Sequence, residues 1–490
     1  MMAEVRPSHF LGLDLGTSSL KAVLVGEDQR VVGHAEAPLA VSRPHPGWSE
    51  QEPAAWIAAA ETALDDLARL MPAEMAQVRA VGLSGQMHGA TLLDASDRPL
   101  RPAILWDDVR SHEEALALDA IPVFRSLTGT IVFPGFTAPK LVWVARNEPA
   151  VFENTARVLL PKDYLRLWLT GEHVSDMSDA SGTAWLDVAM RDWSEELLAA
   201  TGLSRSHMPR LVEGSEVSGT LRPQLAARWG MSERTVVAGG GGDNAASACG
   251  VGVVTAGQAF LSLGTSGVLF AANDRFRPNP QSAVHAFCHA LPQTWHQMGV
   301  ILSAGGAMQW LSRTLEEDAG ALAAAVDASR TEGPIFLPYL AGERTPHNDA
   351  KIRGSFVGLD YGADRAALTA ALMEGVAFAF ADSLDALAHT GTRVESAVAV
   401  GGGSRSDAWL QIIADTLGVP LDVPVAGEFG GAFGAARLAM VAAGADPAAV
   451  LAPPPIHRSI EPVPARHEAR QARLRRYRAL YPAIREAMAA

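Results

Sequence analysis

The sequence predicts an α/β protein built as two domains that share one order of elements. Three observations carry this prediction. The tetrapeptide Leu-Gly-Thr-Ser occurs twice, in FLGLDLGTSSLK (Phe10 to Lys21) and FLSLGTSG (Phe260 to Gly267), each time closing a strand-like apolar run. Each half later ends a strand in a run of glycines, GGGGDN (Gly239 to Asn244) and GGGSRSD (Gly401 to Asp407). The 490 residues also exceed what one core accommodates, since domains usually hold roughly 100 to 200.

Phe10 to Asp14, Leu20 to Val25 and Arg30 to Pro38 read as an antiparallel meander, with Gly26 to Gln29 as a hairpin turn. Trp56, Ile57, Ala60, Ala63, Leu64, Leu67 and Leu70 repeat at helical spacing, and Ala80 to Leu83 is a strand entering GQMHGA. Strands follow at Val158 to Leu160 and Val236 to Ala238, the latter leading into the first glycine run. The second half repeats the order with strands at Ala259 to Leu263, Val268 to Ala272 and Gln297 to Leu302 and a helix from Gly306 to Leu315. A long helix with the stripe Leu368, Leu372, Val376, Phe380, Leu384 and Leu387 precedes the strand Ala397 to Val400. A helix at Ala408 to Leu417, a strand at Leu421 to Val423 and a helix at Ala432 to Ala443 complete the copy. The natural boundary lies just after Gly250, giving domains over 8–250 and 251–485. In the Arg-rich end, Leu474, Tyr477 and Tyr481 share one face, as in a solvated helix docked by a single stripe.

Apolar content of 48% with 19% charged residues excludes disordered and collagen-like classes. The net charge of −14 repels nucleic acid and anionic membranes, so a phosphate-bearing ligand has to be met by local N–H groups and a cation. Cys249 and Cys288 are too few for a disulfide framework, and the absence of a Cys/His cluster argues against zinc, which fits a reducing cytoplasm. No basic start with an apolar run precedes Phe10, and no apolar stretch of about 18 residues is read anywhere. Neither export nor membrane spanning is expected. The oligomeric state is left open, a homodimer included.

At the first turn Gly16 lets the backbone reverse, so that the following N–H groups form a nest suited to phosphate. Thr17 and Ser18 add hydroxyls, Lys21 adds charge, and Asp14 is placed to hold Mg²⁺. The second turn, at Gly264 and Thr265, has no such acid. Facing each other across a cleft, the two turns would clamp a polyphosphate; a plain hairpin is the alternative for each. Asp243, after four glycines, reads either as a base able to take an alcohol proton or as a helix cap for AASACG.

Asp-x-Gly-Thr, a second Gly-Thr turn half a chain later and a late Gly-Gly-Gly together resemble the ATPase fold of actin, heat-shock chaperones and sugar kinases. That fold encloses ATP between two RNase-H-like domains around a central cleft. No G-x-x-x-x-G-K-[ST] loop competes with it. GFTAPKLVWVARNE (Gly135 to Glu148) and GSFVGLD (Gly354 to Asp360) followed by LTAALMEGVAFAFAD resemble the two signatures of the FGGY carbohydrate kinases. SRPHPGWSEQEP, GQMHGATLLDA, RPAILWDD and FLPYLAGERTPH extend the resemblance over residues 8–485, toward members that phosphorylate a ketopentose.

The resemblance implies transfer of the γ-phosphoryl group of ATP, as its Mg²⁺ complex, to the 5-hydroxyl of D-xylulose. It assigns Asp243 as the base, Met87, His88, Trp106 and Asn244 to the sugar, and Asp14 to the metal. It assigns Thr17, Ser18, Lys21, Gly264 and Thr265 to the phosphates, and Gly402 and Gly403 to the adenosine. Gln-Met-His stands where glycerol kinases carry Arg-Glu, which argues against glycerol. Two departures are Asp107, where Asn is expected, and the fourth glycine before Asp243, which lengthens the loop. A kinase of another ketose or polyol, such as ribulose, would share every nucleotide residue. A sugar-sensing ATPase without catalysis would need neither Asp243 nor His88.

Overall fold

The computed structural model describes residues 8–425 and 430–489. They divide into two compact units. The first holds the chain up to Val254, the segment Phe287–Trp295, and the helix Gly431–Ala442 with its continuation to Pro453. The second holds Thr255–Ala286, the chain from His296 to the strand Leu421–Pro424, and everything from Pro454 on.

The sheet of the first unit runs in the order Val217–Thr220, Val236–Ala238, Val78–Gly85, His9–Leu15, Ser19–Gly26, Val31–Pro38. The meander is therefore present, and Val78–Gly85 lies parallel to the first strand. Alternation sorts the side chains. Leu11, Leu13 and Leu15 join Leu20, Ala22 and Leu24 in a core with Trp56, Ala60, Ala63, Leu64 and Leu67 of the helix Pro53–Leu70. Phe10, Val23, Val25 and Ala80 point the other way, toward Ala432, Phe433, Ala436 and Ala439 of the helix Gly431–Ala442.

That second helix is the final helix of the repeated element order, yet it packs in the first unit. Glycines allow the approach. A Cβ on Gly12 would lie 1.8 Å from the Ala432 carbonyl oxygen, one on Gly82 1.8 Å from that of Ala435. Where the helix crosses Asp243–Val251, a Cβ on Gly434 would lie 1.7 Å from the Ala246 oxygen.

The second unit repeats the meander logic. Gln258–Leu263 pairs antiparallel with Gly267–Asn273 and parallel with Ser396–Val400, and Leu421–Pro424 and Ile456–Ile460 continue the sheet. Helix Arg365–Ala388 is its centre. This helix does reach the length and apolarity of a membrane span, which the sequence reading did not credit, and 83% of its apolar window is buried in the protein. Helix Pro464–Ala489 seats Leu474 and Tyr477 in the core, as expected. It also buries Arg470 and Arg473, both bonded to the Glu374 carboxylate at 2.6–2.9 Å. Part of its basic character thus serves packing rather than solvation.

Replacing Gly434 by Ala is expected to lower the melting temperature by several degrees. The added methyl group has backbone, not a flexible side chain, in its way, and such overpacking costs ~1–3 kcal/mol or more. Thermal melts followed by circular dichroism check this.

Candidate active site

Strand register builds the site. In the first unit Asp14 pairs with Lys21 on one side and with Ser84 on the other, and Ser84 pairs in turn with Gly241. Leu15, Gly85 and Gly242 form the next row. Asp243 begins a helix one residue beyond that row, so the two acids are carried to the same edge of the sheet. Asp14 accepts a bond from Ser84 Oγ at 2.7 Å. Gly431 lies beside it, and a Cβ there would come within 2.9 Å of the Asp14 carboxylate. The missing side chain keeps that carboxylate uncovered.

Asp243 feels the charge of Asp14. Burial, then the Asp14 charge, push the Asp243 carboxyl up to about 6, against bonds from Asn244 that favour its ionised form. Burial also raises the Asp14 carboxyl, opposed by Ser84 and Lys21. The helix-cap alternative is partly realised: Asp243 is the first helical residue, after Gly242, and its Oδ1 accepts from the Asn244 N–H at 2.7 Å and the Asn244 side-chain amide at 2.9 Å. Asn244 thus spends one donor on orienting Asp243.

The four glycines before Asp243 have separate reasons. A Cβ on Gly239 would lie 2.1 Å from the Glu213 oxygen, and Gly240 sits at φ +75° with its Cβ position 2.1 Å from the Leu83 oxygen. Gly241 and Gly242 pair with Ser84 and Gly85. The run is a close-packed connection, not a merely lengthened loop.

Met87 and His88 follow the strand Val78–Gly85, with Gln86 between. The Met87 side chain lies against Gly242 and Gly182, whose Cβ positions are 2.9 Å and 3.0 Å from it. His88 adopts φ +69°, a left-handed conformation. Thr137 Oγ1 and Lys140 Nζ hold it there by donating to its carbonyl at 3.1 Å and 2.9 Å. Its ring stacks on Phe136, and Nδ1 lies 2.6 Å from the Gly182 carbonyl. A carbonyl only accepts, so Nδ1 carries a proton. Burial lowers the Lys140 ammonium to about 7.

Trp106 is half exposed and donates its indole N–H to Thr17 Oγ1 at 3.0 Å. Thr17 Oγ1 in turn donates to Gln86 Oε1, and Gln51 Nε2 holds the Thr17 carbonyl at 2.7 Å. The turn at Thr17, Trp106 and the start of the GQMHGA loop are therefore one bonded unit. Ser18 and Lys21 are exposed. Asp107 pairs with Arg43 at 2.8 Å, whereas the neighbouring Asp108 is buried against Arg110 and the Ser49 N–H. The unexpected charge thus has a local partner.

In the second unit Gly264, Thr265, Gly402 and Gly403 line one cavity of about 830 Å³ with Met308, Gln309, Arg405 and Trp409. The turn at Gly264 and Thr265 is fixed by the Gly305 and Gly306 N–H groups on their carbonyls, at 2.8 Å and 2.9 Å. Gly403 lacks a side chain for a reason the sequence did not give: its Cβ would lie 2.9 Å from Leu263 and 3.3 Å from Trp409. Gly402 is open, with nothing nearer than 3.9 Å to its Cβ position.

The sequence reading missed Ser84, Gln86, Gly431 and Trp409. Gln86 lies inside GQMHGA, beside the chosen Met87, and could have been found there; Gly431 could not, since nothing in the sequence ties it to Asp14.

The chain belongs to the FGGY family of carbohydrate kinases: residues 9–250 match the N-terminal domain of that family and residues 259–443 its C-terminal domain. The xylulose kinase of Escherichia coli (strain K12) is 49% identical over 98% of this chain and 100% of its own length. Among solved structures, a "xyloylose kinase" from Brucella ovis superposes with a TM-score of 0.96 at 60% identity, over 98% of this chain and 100% of that one. The xylulose kinase of Rhodospirillum rubrum gives 0.91 at 32% identity, over 98% and 100%. The fold is the two-domain α/β fold of sugar kinases.

Asp243→Asn is expected to raise the melting temperature at pH 8 and to leave it unchanged near pH 3. The folded-state carboxyl titrates near 6, above its ordinary 3.8, so the native state binds this proton more tightly than the unfolded chain. Its contribution to stability is full below about 3.8 and is lost as the pH rises through 6. Asn removes that loss; melts at the two pH values check it.

Proposed function

We propose that this chain phosphorylates D-xylulose at its 5-hydroxyl with ATP, the first unit carrying sugar, metal and base and the second the nucleotide. The observation that carries this reading is Asp243, a half-buried carboxylate at the end of a rigid glycine run, within electrostatic reach of Asp14 and next to the Met87 and His88 loop. The likeness to xylulose kinases over nearly the whole chain supports the choice of sugar.

In this reading Asp243 takes the proton of the attacking hydroxyl, and the Asn244 amide holds the carboxylate in orientation. His88 contacts a sugar hydroxyl, its ring oriented by the Gly182 carbonyl on Nδ1 and by Phe136. Met87 packs on the carbon skeleton and Trp106 closes one side. The N–H groups at Thr17 and Ser18, with Lys21, and those at Gly264 and Thr265 receive the β- and γ-phosphates, and Gly402 and Gly403 lie along the adenosine. Two neighbouring acids whose pKa values are raised by burial, with the Asp14 charge adding to the rise at Asp243 and Asp14 left uncovered by Gly431, fit a divalent cation arriving with ATP. Asp14 would hold that ion, which supplies charge neutralisation on the phosphates. The free thiols of Cys249 and Cys288 suit action in the cytoplasm.

A coupled ADP-release assay over ketoses and polyols is expected to show the highest kcat/KM with D-xylulose; preference for ribulose or a polyol would replace the assigned sugar. Asp243→Ala is expected to lose ~10²–10⁴ in kcat while binding ATP and sugar. Near-normal turnover by that variant would show that the base is another group. The kcat/KM of the wild type should fall below about pH 6, where Asp243 is protonated and can no longer accept the hydroxyl proton.

A further inference from the structure

The loop that carries Asp243 is gripped from beneath by side chains that no solvent reaches. On one side Arg166 donates to the Ala238 carbonyl at 2.6 Å and to the Gly239 carbonyl. On the other, the Gly242 N–H donates to Ser178 Oγ at 3.1 Å, and Ser178 Oγ donates to Asp176 Oδ2 at 2.5 Å. Asp176 also caps the helix Met177–Ser181 by accepting the N–H groups of Ser178 and Asp179. Gly242 immediately precedes the proposed base.

Asp176, Asp163 and Asp179 bring carboxylate oxygens within 4.8 Å of one another, a grouping suited to a cation. Here the cation belongs to the chain: Lys162 Nζ lies 2.5 Å from Asp163, 2.9 Å from Asp176 and 3.5 Å from Asp179, and all four side chains are 0% exposed. Dehydrated carboxylates at this spacing repel one another: burial pushes the Asp179 carboxyl well above its ordinary range, and the Lys162 ammonium is what holds Asp163 and Asp176 together. Asp163 also faces Arg166 at 3.6 Å. Both grips on the base loop are therefore tied to carboxylates that Lys162 gathers.

We propose that the buried relay from Lys162 through Asp176 to Ser178 is a positioning device for Asp243, acting on the Gly242 N–H to hold the carboxylate at the reacting hydroxyl. It rests on the reading of Asp243 as the base. Misplacing a reacting group by about 1 Å can cost about 10²-fold in rate, so a relay ending one residue from the base acts on kcat rather than on binding.

The test uses the full chain with Ser178→Ala, which removes a single hydroxyl, Lys162→Met, which removes the charge, and Asp243→Asn as the reference. Steady-state kinetics give kcat and KM for ATP, calorimetry gives the affinity for D-xylulose, and thermal melts report the fold. Ser178→Ala is expected to fold normally and to keep KM for ATP and sugar affinity within about threefold, while kcat falls about tenfold or more. Lys162→Met, if it folds, should show the same split with a larger loss of kcat. The proposal is overturned if Ser178→Ala keeps kcat within about twofold of wild type, or loses affinity in proportion to kcat. Should Asp243→Asn itself turn over normally, the assignment of the base fails. If only Asp243→Asn loses turnover, the base stands and the relay alone is refuted.

Discussion

The acid pair of the candidate site hangs from the pairing register of one strand, Val78–Gly85. It lies between the strand that bears Asp14 and the glycine run that bears Asp243, and its Ser84 is in register with both Asp14 and Gly241. Because side chains alternate along a strand, a slip of one residue would turn Asp14 into the face occupied by Leu13 and Leu15. The register is secured by the apolar set on that face and, on the other, by glycines whose only tolerable neighbour is helix backbone. Core packing and site geometry are one constraint here.

The same economy holds in the loop of Met87 and His88. The left-handed backbone at His88 is an uncommon state for a residue with a side chain, and it is offset by two donors on its own carbonyl. Both of them, Thr137 and Lys140, belong to the stretch GFTAPKLVWV. A segment that looks like a family signature in sequence is, in space, the bracket for His88.

Local pattern made much of this legible. The meander, the strand into GQMHGA, the duplicated turn and the amphipathic helices follow from spacing of two or 3.6 residues, and the structure has them with bounds shifted by a few positions. Non-local facts were not legible. Nothing in the run around Gly431 to Ala442 says that it packs on the sheet of the first half, because the determinants are absent side chains at Gly12 and Gly82, far away in sequence. The burial of Arg470 and Arg473 was hidden for the opposite reason: each looks like surface charge until Glu374 is placed beside it. Asn244 was rightly noticed beside Asp243, but the bond between them needs coordinates.

The return of helix Gly431–Ala442 to the first sheet bears on how the protein is made. Synthesis delivers the strands of that sheet by Ala238, but the helix that covers one of its faces leaves the ribosome only when nearly nine-tenths of the 490 residues have been joined. Until then Phe10, Val23, Val25 and Ala80 have no lid, and the nascent first half carries an open apolar surface. A fragment cut at the end of the first half would keep that surface for good, so the unit that holds the candidate sugar site cannot be obtained by expressing the N-terminal segment alone.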